Sequence, residues 1–110
     1  MRQYRIDELR PKDYENLKAH LDEHYGHSQM EQLYWIALQE NLLNEVQAAH
    51  TKCQPFCFAV ELKQDSITFE LLIRTRNRIR CDCIGYATPA QRESIICFAD
   101  NLFVTLKILS

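Results

Sequence analysis

From Pro55 onward the chain alternates apolar and polar positions with a period of two. Phe56, Phe58, Val60 and Leu62 interleave with Cys57, Ala59, Glu61 and Lys63. After a polar turn at Gln64-Asp65-Ser66, Ile67, Phe69, Leu71 and Ile73 interleave with Thr68, Glu70, Leu72 and Arg74. Two such segments in succession predict an antiparallel hairpin with one buried face. Setting apolar against apolar pairs Leu62 with Phe69, Val60 with Leu71 and Phe58 with Ile73. A third strand is expected over about 78–86, after a turn near Asn77. Its best register places Ile73 opposite Cys83, Arg74 opposite Asp82 and Leu72 opposite Ile84.

Elsewhere the period is helical. Pro11 suits a first helical position, Asp13 and Glu15 suit the positive end of the dipole, and Gly26 follows Tyr25 as a stop. Tyr14, Leu17, Leu21 and Tyr25 form a thin apolar stripe on this first helix. Leu33-Tyr34-Trp35-Ile36 is aromatic and β-branched enough for a short strand. Leu42, Val46 and Ala49 then recur at helical spacing with Leu43 beside them, which predicts a second helix from about Gln39 to His50. The last helix has the clearest start: Thr88 as N-cap, Pro89 in the first position and Gln91 completing a capping box. Ile95, Ile96, Ala99, Leu102, Phe103 and Leu106 give it a broad apolar face.

The expected order is α-β-α-β-β-β-α, a single α+β domain over residues 1–110. A three-stranded antiparallel meander, plus the short extra strand, should carry the helices in a two-layer sandwich. The meander's second face draws notice. Ala59, Leu72 and Ile84 would lie side by side there, bordered by the Arg74–Asp82 ion pair. A solvated sheet face more often carries Thr, Lys or Glu at such positions. The stripe is therefore expected to be covered, by the first helix or by a second copy of the protein, with Trp35 and Tyr34 adding to the contact.

Composition narrows the chemistry. With 110 residues, 46% hydrophobic and 25% charged, the chain is long enough to bury a core without a disulfide or metal staple. Only two glycines occur, Gly26 and Gly85. No phosphate-binding loop, dinucleotide fingerprint or G-x-S-x-G elbow can be written with them. No apolar run approaches the ~20 residues of a membrane span. The first residues carry no apolar segment of a secretory leader, so the cytoplasm is the expected location and the five cysteines are expected as free thiols. Residues 1–50 hold five Lys/Arg against nine Asp/Glu, and residues 51–110 eight against six. That split is too mild to imply a nucleic-acid or membrane surface.

Three clusters could carry chemistry. His20 and His24 stand four apart on the first helix, a spacing that lets two imidazoles meet one metal ion, with His27 beyond Gly26. The ordinary explanation is an exposed polar helix face. Cys81 and Cys83 share the core face of the third strand, whereas Cys57 lies on the opposite one; Cys53 and His50 resemble no standard zinc knuckle. Small buried hydrophobes explain these thiols, although Cys57, across from Arg74, is the one place for a redox thiolate. Arg74, Arg76, Arg78 and Arg80 surround the second hairpin turn. They could bind phosphate, but no aromatic residues interleave with them, and a charged hairpin also blocks edge aggregation.

No cofactor is expected, and no motif names a reaction. A non-enzymatic interaction or adaptor domain fits best, acting as a homodimer through one sheet face or the aromatic segment around Trp35. The interface would hold Ala59, Leu72, Ile84, Arg74, Asp82 and Trp35. A small metal- or thiol-dependent protein using His20/His24 or Cys57 is the alternative, and a weak nucleic-acid binder through the arginines is the third.

Overall fold

The computed structural model describes residues 3–25, 33–49, 56–75 and 84–108. Its elements run β1 (Gln3–Ile6), α1 (Pro11–Tyr25), β2 (Leu33–Ala37), a 3-10 turn (Glu40–Leu42) and α2 (Glu45–Ala49). They continue β3 (Phe56–Leu62), β4 (Ile67–Glu70), β5 (Leu72–Thr75), β6 (Gly85–Tyr86) and α3 (Pro89–Thr105). The class is α+β, with helices packed on an antiparallel sheet.

The sheet is built around β3. On one side of it lies β2; on the other lie β4 and β5, two halves of one interrupted strand. Beyond that strand, β1 flanks β4 and β6 flanks β5. β1 is an addition to the expected order. Its two core positions, Tyr4 opposite Phe69 and Ile6 opposite Ile67, are too few to announce a period in the sequence.

The hairpin register is split. Phe56 pairs with Thr75 and Cys57 with Arg74, which continues into the expected Phe58–Ile73 match. Near the turn, however, Leu62 pairs with Ile67 and Val60 with Phe69, two residues away from expectation. The turn is tighter than the polar run suggested, closed by Lys63 N–H donating to the Ser66 carbonyl at 2.8 Å. Between the two paired stretches the β4–β5 side therefore carries two more residues than β3, and the ladder breaks at Leu71. Because the shift is an even number, every side chain keeps its face.

One face of the sheet and all of the core lie together. Phe56, Phe58, Val60, Leu62, Ile67, Phe69 and Ile73 pack with Leu17 and Leu21 of α1 and with Ile95, Ala99, Leu102 and Phe103 of α3. Phe98 of α3 makes edge contacts with Phe58, Phe69 and Tyr25, at ring-centroid distances of 5.9, 6.3 and 6.1 Å. Both long helices thus cover the same face.

The helix ends are chemically defined. Asp13 accepts from the backbone N–H and guanidinium of Arg10, and that hydrogen-bonded partner holds its carboxyl below the usual range. α3 begins with the expected capping box between Thr88 and Gln91. It ends in a Schellman turn: Ile108 N–H donates to the Phe103 carbonyl and Lys107 N–H to that of Val104. Lys107 adopts the left-handed φ of 57° that glycine usually takes there. Among the described residues, no helix is long and apolar enough to cross a membrane.

The expected helix over Gln39–His50 is shorter and faces otherwise; His50 itself lies outside the described residues. Asn44 caps a new helix by accepting from Gln47 N–H at 2.8 Å, while Gln47 returns the bond to Asn44 N–H. That second capping box rotates α2 so that Gln47 is buried and Val46 is exposed. The amides of the two boxes then meet: Gln91 Nε2 donates to Gln47 Oε1 and to the Leu42 carbonyl, both at 2.8 Å.

Candidate functional site

The sheet's other face carries the odd-numbered positions of β2 and β3. Trp35 pairs with Ala59 and Ala37 with Cys57. Across β3, Cys57 pairs in turn with Arg74 of β5. Trp35 and Arg74 therefore stand on opposite sides of β3, yet the guanidinium carbon lies 5.4 Å from the indole centroid. The contact must arch over β3, and the residues beneath it are the small Cys57 and Ala59. Their burial, 3% and 1% exposed, follows. A larger side chain at Ala59 would lift the arch. Glu70 completes the group, its Oε2 accepting from Arg74 Nη2 at 2.9 Å.

This arrangement changes the expected interface in three ways. First, α1 is not its cover: that helix packs on the opposite face, and Tyr34 goes with it. The Tyr34 hydroxyl donates to Asp22 of α1. Ala59 is instead covered from within, by the Trp35–Arg74 arch, while Leu72 and Ile84 stay partly exposed. Second, the register of β6 is displaced by two: Leu72 faces Tyr86, not Ile84, and Ile73 faces Gly85, not Cys83. The two-residue step keeps Ile84 on the same face and brings it opposite Arg74. Third, the acidic partner that Arg74 shows is Glu70; Asp82 lies outside the described residues. The sequence signal for Glu70 was its place on the same face, but only the break at Leu71 brings it within reach of Arg74. With Ala59 sealed, the apolar surface left on this face among the described residues comes from the partly exposed Leu33, Trp35, Leu72 and Ile84 and the exposed Ala37 and Tyr86.

Among the described residues, β2 also forms an edge. Leu38 N–H donates to the Phe56 carbonyl at 2.8 Å. In an antiparallel ladder the backbone groups alternate in direction. Leu38, Ile36 and Tyr34 therefore bond toward β3, and the N–H and C=O groups of Trp35 and Ala37 point outward. Among the described residues no strand pairs with that side of β2. Its five residues, Leu33–Ala37, carry no charge and no proline, the devices that ordinarily blunt an edge.

The other candidates separate. His20 and His24 lie in tilted contact, with ring centroids 4.2 Å apart. Burial lowers the His20 pKa, the neighbouring His24 adds to this, and Glu23 opposes it. No group of three or more His, Cys, Asp or Glu side chains that could hold a metal ion occurs among the described residues. Cys57 does face Arg74, but it is buried, which removes the exposure a redox thiolate needs. His27, His50, Cys53, Cys81, Cys83, Arg76, Arg78 and Arg80 lie outside the described residues, so the second hairpin turn does too.

The Tyr34–Asp22 bond anchors β2 to α1, and it titrates. Burial, followed by the bond to Asp22, raises the Tyr34 pKa above its ordinary value. An unfolded tyrosine ionises near pH 10. The stabilisation is therefore complete below about pH 10 and is lost as pH rises through the folded value. Tyr34→Phe should flatten the decline in urea midpoint between about pH 9.5 and 11; an unchanged slope would show that another group sets it.

Fold and face together define an α+β protein with helices on one side of an antiparallel sheet and an uncharged aromatic edge. No protein-family model, curated protein or solved structure matches the chain.

Proposed function

We propose that this chain is a non-enzymatic protein-interaction domain, a single α+β unit of the cytoplasm that acts as a homodimer through the Trp35 segment. One observation carries the reading: among the described residues no strand pairs with the outer side of β2, where the Trp35 and Ala37 backbone groups point, and the strand carries none of the usual blocking residues. An edge of this kind binds by strand addition, in which main-chain hydrogen bonds supply affinity and alternate side chains supply specificity. A second copy of the chain always offers a strand of matching chemistry, and antiparallel pairing of like strands closes with two-fold symmetry.

Light scattering after size exclusion tests this. The monomer mass is 13.0 kDa, and the expected mass near 100 µM is about twice that. Ala37→Lys, at an exposed edge position, should return the protein to a monomer with an unchanged far-UV spectrum. A wild-type chain that stays monomeric up to about 100 µM sinks the proposal.

A further inference from the structure

We infer that His20 and His24 form a two-imidazole chelate for a borderline divalent transition-metal ion at the C-terminal end of α1. This stands apart from the homodimer reading, because both residues lie on α1 and neither belongs to β2. The helix sets the spacing first. Residues four apart sit one turn above the other, with Cβ atoms about 5–6 Å apart. In this chain the two side chains have closed that gap, and their ring centroids are 4.2 Å apart. One ion bonded to both rings at about 2.0–2.1 Å needs donor nitrogens roughly 3 Å apart. Two rings already in contact come to that distance by rotation about χ2, a soft torsion in histidine.

The surroundings favour a cation. His24 lies in the last turn of α1, where unpaired carbonyls give the helix its negative end. Glu23 is near enough to act on His20 electrostatically, and it sets a negative charge beside the pair. Asp22 is committed elsewhere, accepting from Lys18 and Tyr34. Both rings can be reached, since His24 is exposed and His20 half-buried. Leu21, which follows His20, is fully buried in the core. A metalloprotease helix carries its general-base glutamate in that place, so the pair is built to hold an ion and not for that hydrolysis. Among the described residues no third metal-ligating side chain joins the two. Two ligands leave positions for water, unlike the four of a closed structural zinc site, so the ion should exchange readily. Imidazole nitrogen suits nickel, copper and zinc, whereas magnesium and calcium take oxygen ligands.

Titration calorimetry with nickel(II) at about pH 7.5, on the full chain without a histidine tag, tests the site. The wild-type chain should bind the ion. His20→Gln and His24→Gln should each weaken that event by about tenfold or more, because each leaves a single imidazole in place of the chelate. Binding by thiols elsewhere in the chain would survive both substitutions. Magnesium at the same concentration should give no event. If either variant unfolds, the wild-type chain still decides: substoichiometric paramagnetic nickel(II) should broaden the imidazole proton signals of both His20 and His24. Weakened binding in both variants, or broadening of both rings, supports the chelate. Equal binding by the wild type and either folded variant overturns it. So does broadening that spares either ring, an equal response to magnesium, or no nickel binding up to about 1 mM.

Discussion

Phe69→Ala should lower the unfolding free energy by about 4 kcal/mol, the middle of the range for a fully buried aromatic. Phe69 is wholly buried at the middle of β4. It pairs with Tyr4 on one side and Val60 on the other, and Phe98 of α3 packs edge-on above it. Truncation removes the contact that joins strand β1, the central hairpin and α3 at one point. The cavity cannot collapse easily, because its walls belong to three separate elements. Urea unfolding followed by far-UV circular dichroism should show the midpoint falling with the slope unchanged. In a chain of this size the melting temperature should fall by roughly 15–25 °C. Phe69→Leu, which keeps most of the volume, should cost about 1.5 kcal/mol. A loss below about 1 kcal/mol for the alanine variant would mean that the aromatic cluster is not the centre of the core.

Gln91→Ala should cost about 3 kcal/mol, unusual for a helix-capping residue, whose loss ordinarily costs about 1. The excess comes from burial and from shared use. The Gln91 amide accepts from Thr88 N–H at 3.0 Å while donating to the Leu42 carbonyl and to Gln47 Oε1. Removing it leaves a part-buried backbone donor and a part-buried backbone acceptor without this partner and unlinks α2 from α3. Gln91→Glu separates capping from linking. The carboxylate still accepts from Thr88 N–H, but it faces two oxygens that had accepted from the amide. That variant should be destabilised as much as the alanine variant at pH 7. It should recover part of the loss below about pH 5, as the carboxyl takes up a proton and can donate again. Equal stability at both pH values would show that the Gln47 and Leu42 contacts contribute nothing.

Much of the architecture was legible from spacing alone. The period of two from Phe56 to Ile73 assigned the central strands and their buried face. Pro11 and Gly26 marked both ends of α1, and Thr88-Pro89 with Gln91 marked the start of α3, because caps and stops act within a few residues of the groups they satisfy. Leu33–Ile36 was recognisable as a strand from its residue types. For α2 the Leu42–Val46–Ala49 spacing points to the wrong start and face, because Asn44 interrupts it. Its side chain was placed to cap a helix whose buried residue is Gln47.

What the sequence by itself determined was therefore local: which segments are helix or strand, and which face of each strand is apolar. The tertiary structure decided everything that depends on two segments meeting. It broke the hairpin at Leu71 to reconcile a tight Lys63–Ser66 turn with the Cys57–Arg74 pairing. It set both long helices on one face, and it made Trp35 an edge residue by placing β2 outside β3. It also covered Ala59 with the Trp35–Arg74 arch, which explains why that apolar residue lies on the second face without a helix above it. Alternation reports burial but cannot say what does the burying, because a helix, a neighbouring side chain or a second molecule would leave the same small apolar residue in the chain.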